Sequence, residues 1–347
     1  MAANEFPAYG ETLKSIMIPD MKKVLVAGGA GYIGSLTVRG LLEAGYQPVV
    51  LDNLSTGKRE AVPEDALFHQ GEIADRALLD TIFTRHAISA VMLFAAKIKV
   101  GESVHRPDLY YNNNVGHALP LLDAMLRHGC PALIFSSTAA VYGNPRYLPI
   151  DEQHPANPIN PYGWSKLMLE TILRDYCSAF PLKAVVLRYF NAAGAALDGL
   201  SGESADVKQN LIPIAIDNLE KGIPTDIFGG DWDTPDHTPI RDYLHIHDIA
   251  NGHLSALQLL LSGKAASFDV FNLGGGIGIS VLEVLNALAR ASGKTVPHRV
   301  VGRRAGDAGH LVASHKKAEE ILEWKPAHSG IDTIISSAYR WHTNRKY

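Results

Sequence analysis

The chain has 347 residues, 46% of them hydrophobic and 20% charged, with a formal net charge of −4, which is length enough for one large α/β unit or two lobes. Its slight acidity gives no basic footprint, which argues against nucleic acid or an anionic membrane as a partner. No run of about 18 apolar residues marks a membrane span, and the first residues lack the basic-then-apolar order of a secretory signal.

Residues 1–20, with Pro7, Gly10 and Pro19, carry no core-like period and read as a flexible leader, Met21 offering an alternative start. From Lys22 onward apolar strand runs alternate with helical stretches. Strands are expected at 24–27, 47–51, 66–69, 90–94, 132–136 and 184–187, and helices at 31–44, 76–86, 107–128 and 161–180. Unbroken apolar runs such as Val91-Met92-Leu93-Phe94 suit parallel strands buried on both faces. The pattern predicts a doubly wound, parallel, Rossmann-type sheet over residues 21–190, completed by later segments. Past Asn191 the pattern loosens, with polar stretches at 198–206 and 229–237. Short strands at 226–228 and 270–273 and helices at 212–220, 281–292 and 316–322 predict a smaller mixed α/β lobe over 191–347, closing on the carboxyl ends of the sheet strands.

Gly28, Gly31 and Gly34 follow the first strand directly and open the first helix. The first glycine allows a tight turn, the second lets backbone approach a pyrophosphate, and the third lets helix pack close to strand. The helix amino terminus adds free N–H groups and a positive dipole end. Asp52 ends the next strand 18 residues past Gly34, where a carboxylate can accept from both ribose hydroxyls. It also repels a 2′-phosphate, and no arginine lies within the stretch from Asn53 to Gly57, so NAD is favoured over NADP.

The fifth strand runs into Ser137-Thr138-Ala139-Ala140-Val141-Tyr142-Gly143, placing hydroxyls in the crevice where such sheets bind ligands. These hydroxyls also suit a simple cap of the strand end. Downstream lies Tyr162-Gly163-Trp164-Ser165-Lys166, with Pro161 fixing the helix start. Residues four apart share a helix face, so the phenol and the ammonium point at one spot. A nearby cation favours phenolate and lowers a tyrosine pKa from about 10. Such a pair can take a proton from a hydroxyl, with Thr138 holding that hydroxyl, while a nicotinamide takes hydride.

These segments resemble the extended short-chain dehydrogenase/reductase family, and within it the nucleotide-sugar 4-epimerases. The resemblance runs from about residue 23 almost to the carboxyl end. It includes residues 28–34 and 51–57, Val-Gly-Glu-Ser at 100–103, Tyr-Tyr-Asn-Asn-Asn-Val at 110–115, residues 135–143 and 161–166, Leu-Arg-Tyr-Phe-Asn at 187–191, and Ile-Arg-Asp-Tyr-Leu-His at 240–245. It implies epimerisation at C4 of a UDP-hexose through a transient 4-keto sugar, with Thr138, Tyr162 and Lys166 catalytic. It further implies that Tyr32, Ile33, Asp52, Asn53, Leu54, Ser55, Thr56 and Gly57 touch NAD, with Glu72 and Ile73 by adenine. Phe94, Ala95 and Ala96 would run along the cofactor, with Asn113 and Phe190 near the nicotinamide end. Asn191, Asn210, Leu211, Phe228, Arg241, Arg304 and Asp307 would hold the UDP-sugar, and Leu311 would limit room at the C2 substituent. A homodimer built on the two long helices is implied as well.

Three positions depart from the family's usual pattern: Thr138 stands for Ser, Glu72 for Asp, and Ile98 for Lys. Uridine-linked pentoses, N-acetylhexosamines and uronates stay open as substrates of the same reaction. Asn191-Ala192-Ala193-Gly194 offers no cation for a C6 carboxylate, and Ala139-Ala140 offers no acid–base pair for a dehydratase. An NAD-sensing binding protein is the alternative outside catalysis, though it has no use for the Tyr–Lys pair. His245, His247 and His253 are not taken as metal ligands, since the first two alternate as on a strand without a clear third. The run Gly274 to Gly278 lacks nucleotide-loop spacing and leads into a helix capped by Ser280. Cys130 and Cys177, without metal-type spacing, read as buried reduced thiols of a cytoplasmic protein.

Overall fold

The computed structural model describes residues 21–204, 210–303 and 308–347. The leader at 1–20 and two expected substrate contacts, Arg304 and Asp307, therefore lie outside the described residues.

The first part runs β1 (Lys23–Ala27), α1 (Tyr32–Glu43), β2 (Gln47–Asp52), β3 (Leu67–Gln70), α2 (Arg76–His86) and β4 (Ile88–Leu93). Short helices α3 (Val100–His105) and α4 (Pro107–Tyr111) precede α5 (Ala118–Arg127), β5 (Ala132–Thr138), α6 (Pro161–Ala179) and β6 (Lys183–Tyr189). Then come β7 (Asn191–Ala193), α7 (Leu211–Lys221), β8 (Thr225–Phe228), β9 (Ile240–His245), α8 (Ile246–Leu261) and β10 (Phe268–Leu273). The chain ends with β11 (Gly278–Ser280), α9 (Val281–Ser292), β12 (His298–Val301), β13 (His310–Leu311), α10 (Lys316–Leu322) and α11 (Ile331–Thr343).

Seven strands form one sheet in the order β10-β6-β5-β4-β1-β2-β3, and every pairing is parallel. Successive side chains along each strand feed opposite cores, as a period of two requires. Val24, Val26, Ala90 and Met92 pack with α1, α8 and α10 residues such as Leu41, Leu257 and Leu322. Leu25, Ala27, Val91 and Leu93 pack with α2, α5 and α6 residues such as Leu79, Leu121 and Leu173. The strand order reverses between β1 and β4, and the crevice above that point is where such sheets bind ligands.

The carboxyl lobe is built on β9, which pairs with β7, β11 and β13, and on the parallel pair β12–β8. Its separate core gathers Ile212 and Ile216 of α7, Leu285 and Leu288 of α9, and Ile334 and Ile335 of α11. The later chain also serves the first layer, since β10 is an edge strand of the large sheet and α8 packs against α1.

Two local expectations need correction. The helix expected over 107–128 is interrupted by a π-helical turn at Asn112–Gly116. Three consecutive asparagines are poor helix formers, and one of them, Asn114, turns its side chain inward to hold the chain at Lys97. His245 and His247, read from the sequence as alternating on a strand, instead straddle the start of α8, a helix of 16 residues. His245 ends the strand and its side chain caps the helix by accepting from the His247 N–H at 3.1 Å. Helix α11 has no counterpart among the elements expected from the sequence. Ser280 caps α9 reciprocally with Glu283, as expected.

Candidate active site

The first glycine turn is closed by backbone contacts that exclude any side chain. Gly28 has a φ of 85°, and a Cβ there would lie 2.5 Å from the Ala95 nitrogen. A Cβ on Gly34 would lie 2.3 Å from the Gly28 carbonyl oxygen. A Cβ on Gly31, by contrast, would touch that oxygen at 3.3 Å and otherwise face open space. Gly31 is the N-cap of α1 and supplies no capping side chain, so the first-turn N–H groups suit an external anion.

Asp52 ends β2 and is 8% exposed. Its two oxygens accept the N–H of Ala30 at 2.9 Å and of Leu54 at 2.8 Å, which leaves acceptor capacity for ribose hydroxyls. Burial, opposed by those two hydrogen bonds, pushes the carboxyl pKa up. Leu54 sits in the left-handed region at φ 59°, a strained conformation for leucine that its bond to Asp52 maintains. Asn53 donates to Glu72 at 2.9 Å, so an expected NAD contact and an expected adenine-side residue hold each other. Gly57 packs on Ala30, where a Cβ would approach the backbone at 2.8 Å, while Ser55 and Thr56 are exposed and Ile73 is buried. This cradle fits a dinucleotide whose adenosine end carries no 2′-phosphate.

Phe94 and Ala95 both donate their N–H to the Ala27 carbonyl, at 2.8 and 2.9 Å, which turns the chain across the carboxyl end of β1. The next residues, from Ala96, lead to Lys97, whose N–H and carbonyl both bond to the Asn114 amide. Asn114 also donates to Ser165 of α6 at 2.9 Å, and its neighbour Asn113 donates to it at 3.0 Å. Of the asparagines, Asn114 rather than Asn113 is the buried junction, at 3% exposure.

β5 delivers Ser136, Ser137 and Thr138 to the crevice, all buried. Helix α6 begins at Pro161, capped by Asn160, which accepts the Gly163 N–H at 2.9 Å. Tyr162 therefore stands in the first turn, 9% exposed, with its ring edge-on to Tyr110 at 6.4 Å between centroids. The Tyr162 phenol is within hydrogen-bonding reach of Thr138. The Thr138 hydroxyl also caps its own turn, accepting the Ala140 N–H at 3.1 Å. Lys166 is 3% exposed and donates to the Ser136 carbonyl at 2.8 Å.

The electrostatics differ from the expectation drawn on spacing alone. Within the protein's own groups, burial pushes the Tyr162 phenol up, opposed by its bond to Thr138. Burial also drives the Lys166 ammonium down to about 7, opposed by Glu170. Desolvation disfavours the charged form of each and is the largest influence on both. The ammonium is anchored to the strand backbone rather than to the phenol.

Beyond β6, Phe190 is buried among Val141, Tyr142, Ile150 and Ala313, with Leu311 packed at the margin. Leu311 pairs with Arg241 in the β13–β9 register, and Asn191 pairs with Tyr243 across β7–β9. Asn191, Asn210, Leu211 and Tyr32 line a common pocket, and the Tyr32 hydroxyl donates to the Gly194 carbonyl at 2.5 Å. Phe228 is 38% exposed at the end of β8. Asn191, Arg241 and Leu311 therefore sit on one small sheet, and Asn210 and Leu211 at the start of α7.

The other motifs are structural. The glycine stretch wraps Asp242, whose carboxylate accepts the N–H groups of Gly275 and Gly276 at 2.6 and 3.1 Å. The His245 ring bonds Ser337, that of His247 accepts from Leu197, and that of His253 bonds Ser136. Among the described residues no cluster of three His, Cys, Asp or Glu side chains is arranged for a metal.

The profile of the NAD dependent epimerase/dehydratase family matches residues 24–274. A UDP-glucose 4-epimerase of Lacticaseibacillus casei is 46% identical over 323 residues, covering 92% of this chain and 97% of its own. A crystal structure of UDP-glucose 4-epimerase from Brucella ovis in complex with NAD superposes with a TM-score of 0.89 at 44% identity, covering 92% of this chain and 97% of that one. The Bifidobacterium longum UDP-glucose 4-epimerase, in complex with NAD+ and UDP, gives a TM-score of 0.86 at 38% identity over 93% of this chain and 98% of its own. The glycine cradle, the buried Tyr162–Lys166 pair and these likenesses together place the chain in the NAD dependent epimerase/dehydratase family.

Proposed function

We propose that the protein interconverts UDP-galactose and UDP-glucose by NAD-dependent epimerisation at C4. The observation that carries this reading is the buried cluster of Thr138, Tyr162 and Lys166 at the carboxyl end of β5, beside the dinucleotide cradle, in a chain 46% identical to a UDP-glucose 4-epimerase. NAD, when bound, supplies a hydride acceptor and the positive charge of its oxidised ring. Thr138 orients the C4 hydroxyl, Tyr162 takes its proton, and Lys166 keeps the phenolate favourable. With NAD bound, the C4 hydride would pass to it and come back to the other face of the sugar, and Tyr162 would return its proton to the C4 oxygen at that point, so that no net oxidation results.

Asn191, Asn210, Leu211, Phe228, Arg241, Arg304 and Asp307 hold the uridine diphosphate in this reading. Two guanidinium groups suit a diphosphate because each can donate two parallel, charge-assisted hydrogen bonds. Residues 21–190 serve as the cofactor domain and 191–347 mainly as the substrate lobe. The protein works in the cytoplasm, consistent with its two buried, unpaired cysteines, Cys130 and Cys177. Incubation of the purified protein with UDP-galactose, UDP-arabinose, UDP-GalNAc and UDP-galacturonate, followed by separation of epimers, tests the substrate assignment. Conversion of UDP-galactose is expected, and conversion of UDP-galacturonate alone would refute it.

Leu311 sets the room at C2. A Leu311→Tyr variant is expected to lose about 10-fold or more of kcat/KM on UDP-GlcNAc, the scale of a pocket clash, while retaining UDP-galactose turnover. Equal activity of the two proteins on the acetylated sugar would dismiss the assignment.

A second copy of the chain is the proposed partner. Val100 and Val104 of α3 and Trp164 and Met168 of α6 are 46%, 57%, 39% and 42% exposed, and the two helices pack together. Trp164 and Met168 share one helix face, giving an apolar patch that a twofold contact would cover. Combining Val104→Glu with Met168→Glu is expected to convert dimer to monomer in sedimentation, and an unchanged mass would remove this interface.

A further inference from the structure

We propose that Glu170 is a positioning residue for proton transfer: clamped by Arg188, it fixes the end of β5 and keeps Lys166 charged. The proposal rests on the epimerase reading above. Glu170 lies one helical turn past Lys166 on α6, and its side chain is fully buried. Arg188 on β6 donates through Nε to both of its oxygens, at 3.1 and 3.2 Å, and through Nη2 to Oε2 at 2.5 Å. The Ser137 hydroxyl donates to Glu170 Oε1 at 2.5 Å, and Ser137 pairs with Arg188 in the β5–β6 register.

One carboxylate thus grips the residue between Ser136, whose carbonyl receives Lys166, and Thr138, which faces Tyr162. Helix, strand and neighbouring strand are pinned together within one turn of the reacting groups. A buried ion pair is a costly way to join three elements that apolar packing joins elsewhere. Its charge has a use here, because the nearest buried cation along the helix is the ammonium that desolvation works to neutralise. The titratable groups facing this cluster are Arg188 and Tyr189 of β6, Tyr142 after β5, Tyr110 of α4 with Glu102 of α3 on its hydroxyl, and His253 of α8 on Ser136.

The test is the pH profile of kcat for UDP-galactose, measured on NAD-loaded wild type and Glu170→Gln. Without the carboxylate charge Lys166 loses its proton sooner, so the alkaline limb should move to lower pH by about one unit, with KM little changed. Because Glu170→Gln strands a buried guanidinium, the double variant Glu170→Gln/Arg188→Met provides a second protein free of that charge, expected to shift in the same direction but by less, since the lost guanidinium had opposed the carboxylate. A fall in kcat with the alkaline limb unmoved in both variants would reduce the pair to a structural clamp and overturn the proposal. A wild type that binds NAD but converts no UDP-hexose would instead refute the epimerase reading, and this proposal with it.

Discussion

Replacing Tyr162 with phenylalanine should abolish useful turnover while leaving the fold and bound NAD intact. The phenylalanine ring keeps the edge-on packing against Tyr110, and the helix start stays fixed by Pro161 and the Asn160 cap. Only the hydroxyl is lost. A positioned acid–base group is worth about 10²–10⁴-fold, so kcat should fall by that factor with an unchanged melting temperature. Thr138→Val should cost about tenfold, the worth of one hydrogen bond of about 1–1.5 kcal/mol. Near wild-type turnover in Tyr162→Phe would remove the phenol from the chemistry. The result matters because burial by itself raises the Tyr162 pKa. A phenol so placed works as a base only where positive charge is brought against it, and Lys166 together with the oxidised ring of bound NAD are the sources available.

The second large effect is expected at the glycine turn. Gly34→Ala places a methyl group 2.3 Å from the Gly28 carbonyl oxygen, well inside van der Waals contact. The obstructing atom is backbone of the turn itself, so relief requires α1 to move away from β1. That motion displaces the N–H groups proposed to seat the pyrophosphate. Purified Gly34→Ala should therefore carry no NAD and show no epimerase activity. Gly101→Ala is the matched control: a Cβ there meets nothing within 4 Å, and cofactor content should be unaltered. Full NAD occupancy in Gly34→Ala would contradict the placement of the cofactor on this turn.

Local chemistry made much of this legible before any coordinates. The glycine spacing, Asp52 and the Tyr162–Lys166 interval are all short-range patterns whose geometry follows from one helix or one strand end. Residues joined across long sequence separations were not legible. Asn114 meets Ser165 across 51 positions, and Ser136 meets His253 across 117. The Asn112-Asn113-Asn114 run was the available signal, since three weak helix formers in a row mark an interruption. Helix α8 was obscured by Gly252, which a helix tolerates poorly in isolation. Here its missing Cβ admits Leu273, whose side chain would lie 2.5 Å from one. The buried pair Glu170–Arg188 could be seen only once α6 and β6 were side by side. The rise that burial alone imposes on the Tyr162 phenol was not legible for a related reason. Spacing reports which groups share a face but says nothing of how deeply they are buried, and desolvation decides the balance.

The most direct test follows UDP-galactose carrying deuterium at C4 as it is converted by the purified, NAD-loaded protein, with the products read by proton NMR. Oxidation and return at the same carbon predict UDP-glucose that retains the label at C4. Conversion with the label exchanged into solvent, or no conversion of the sugar at all, would contradict epimerisation by in-place hydride return.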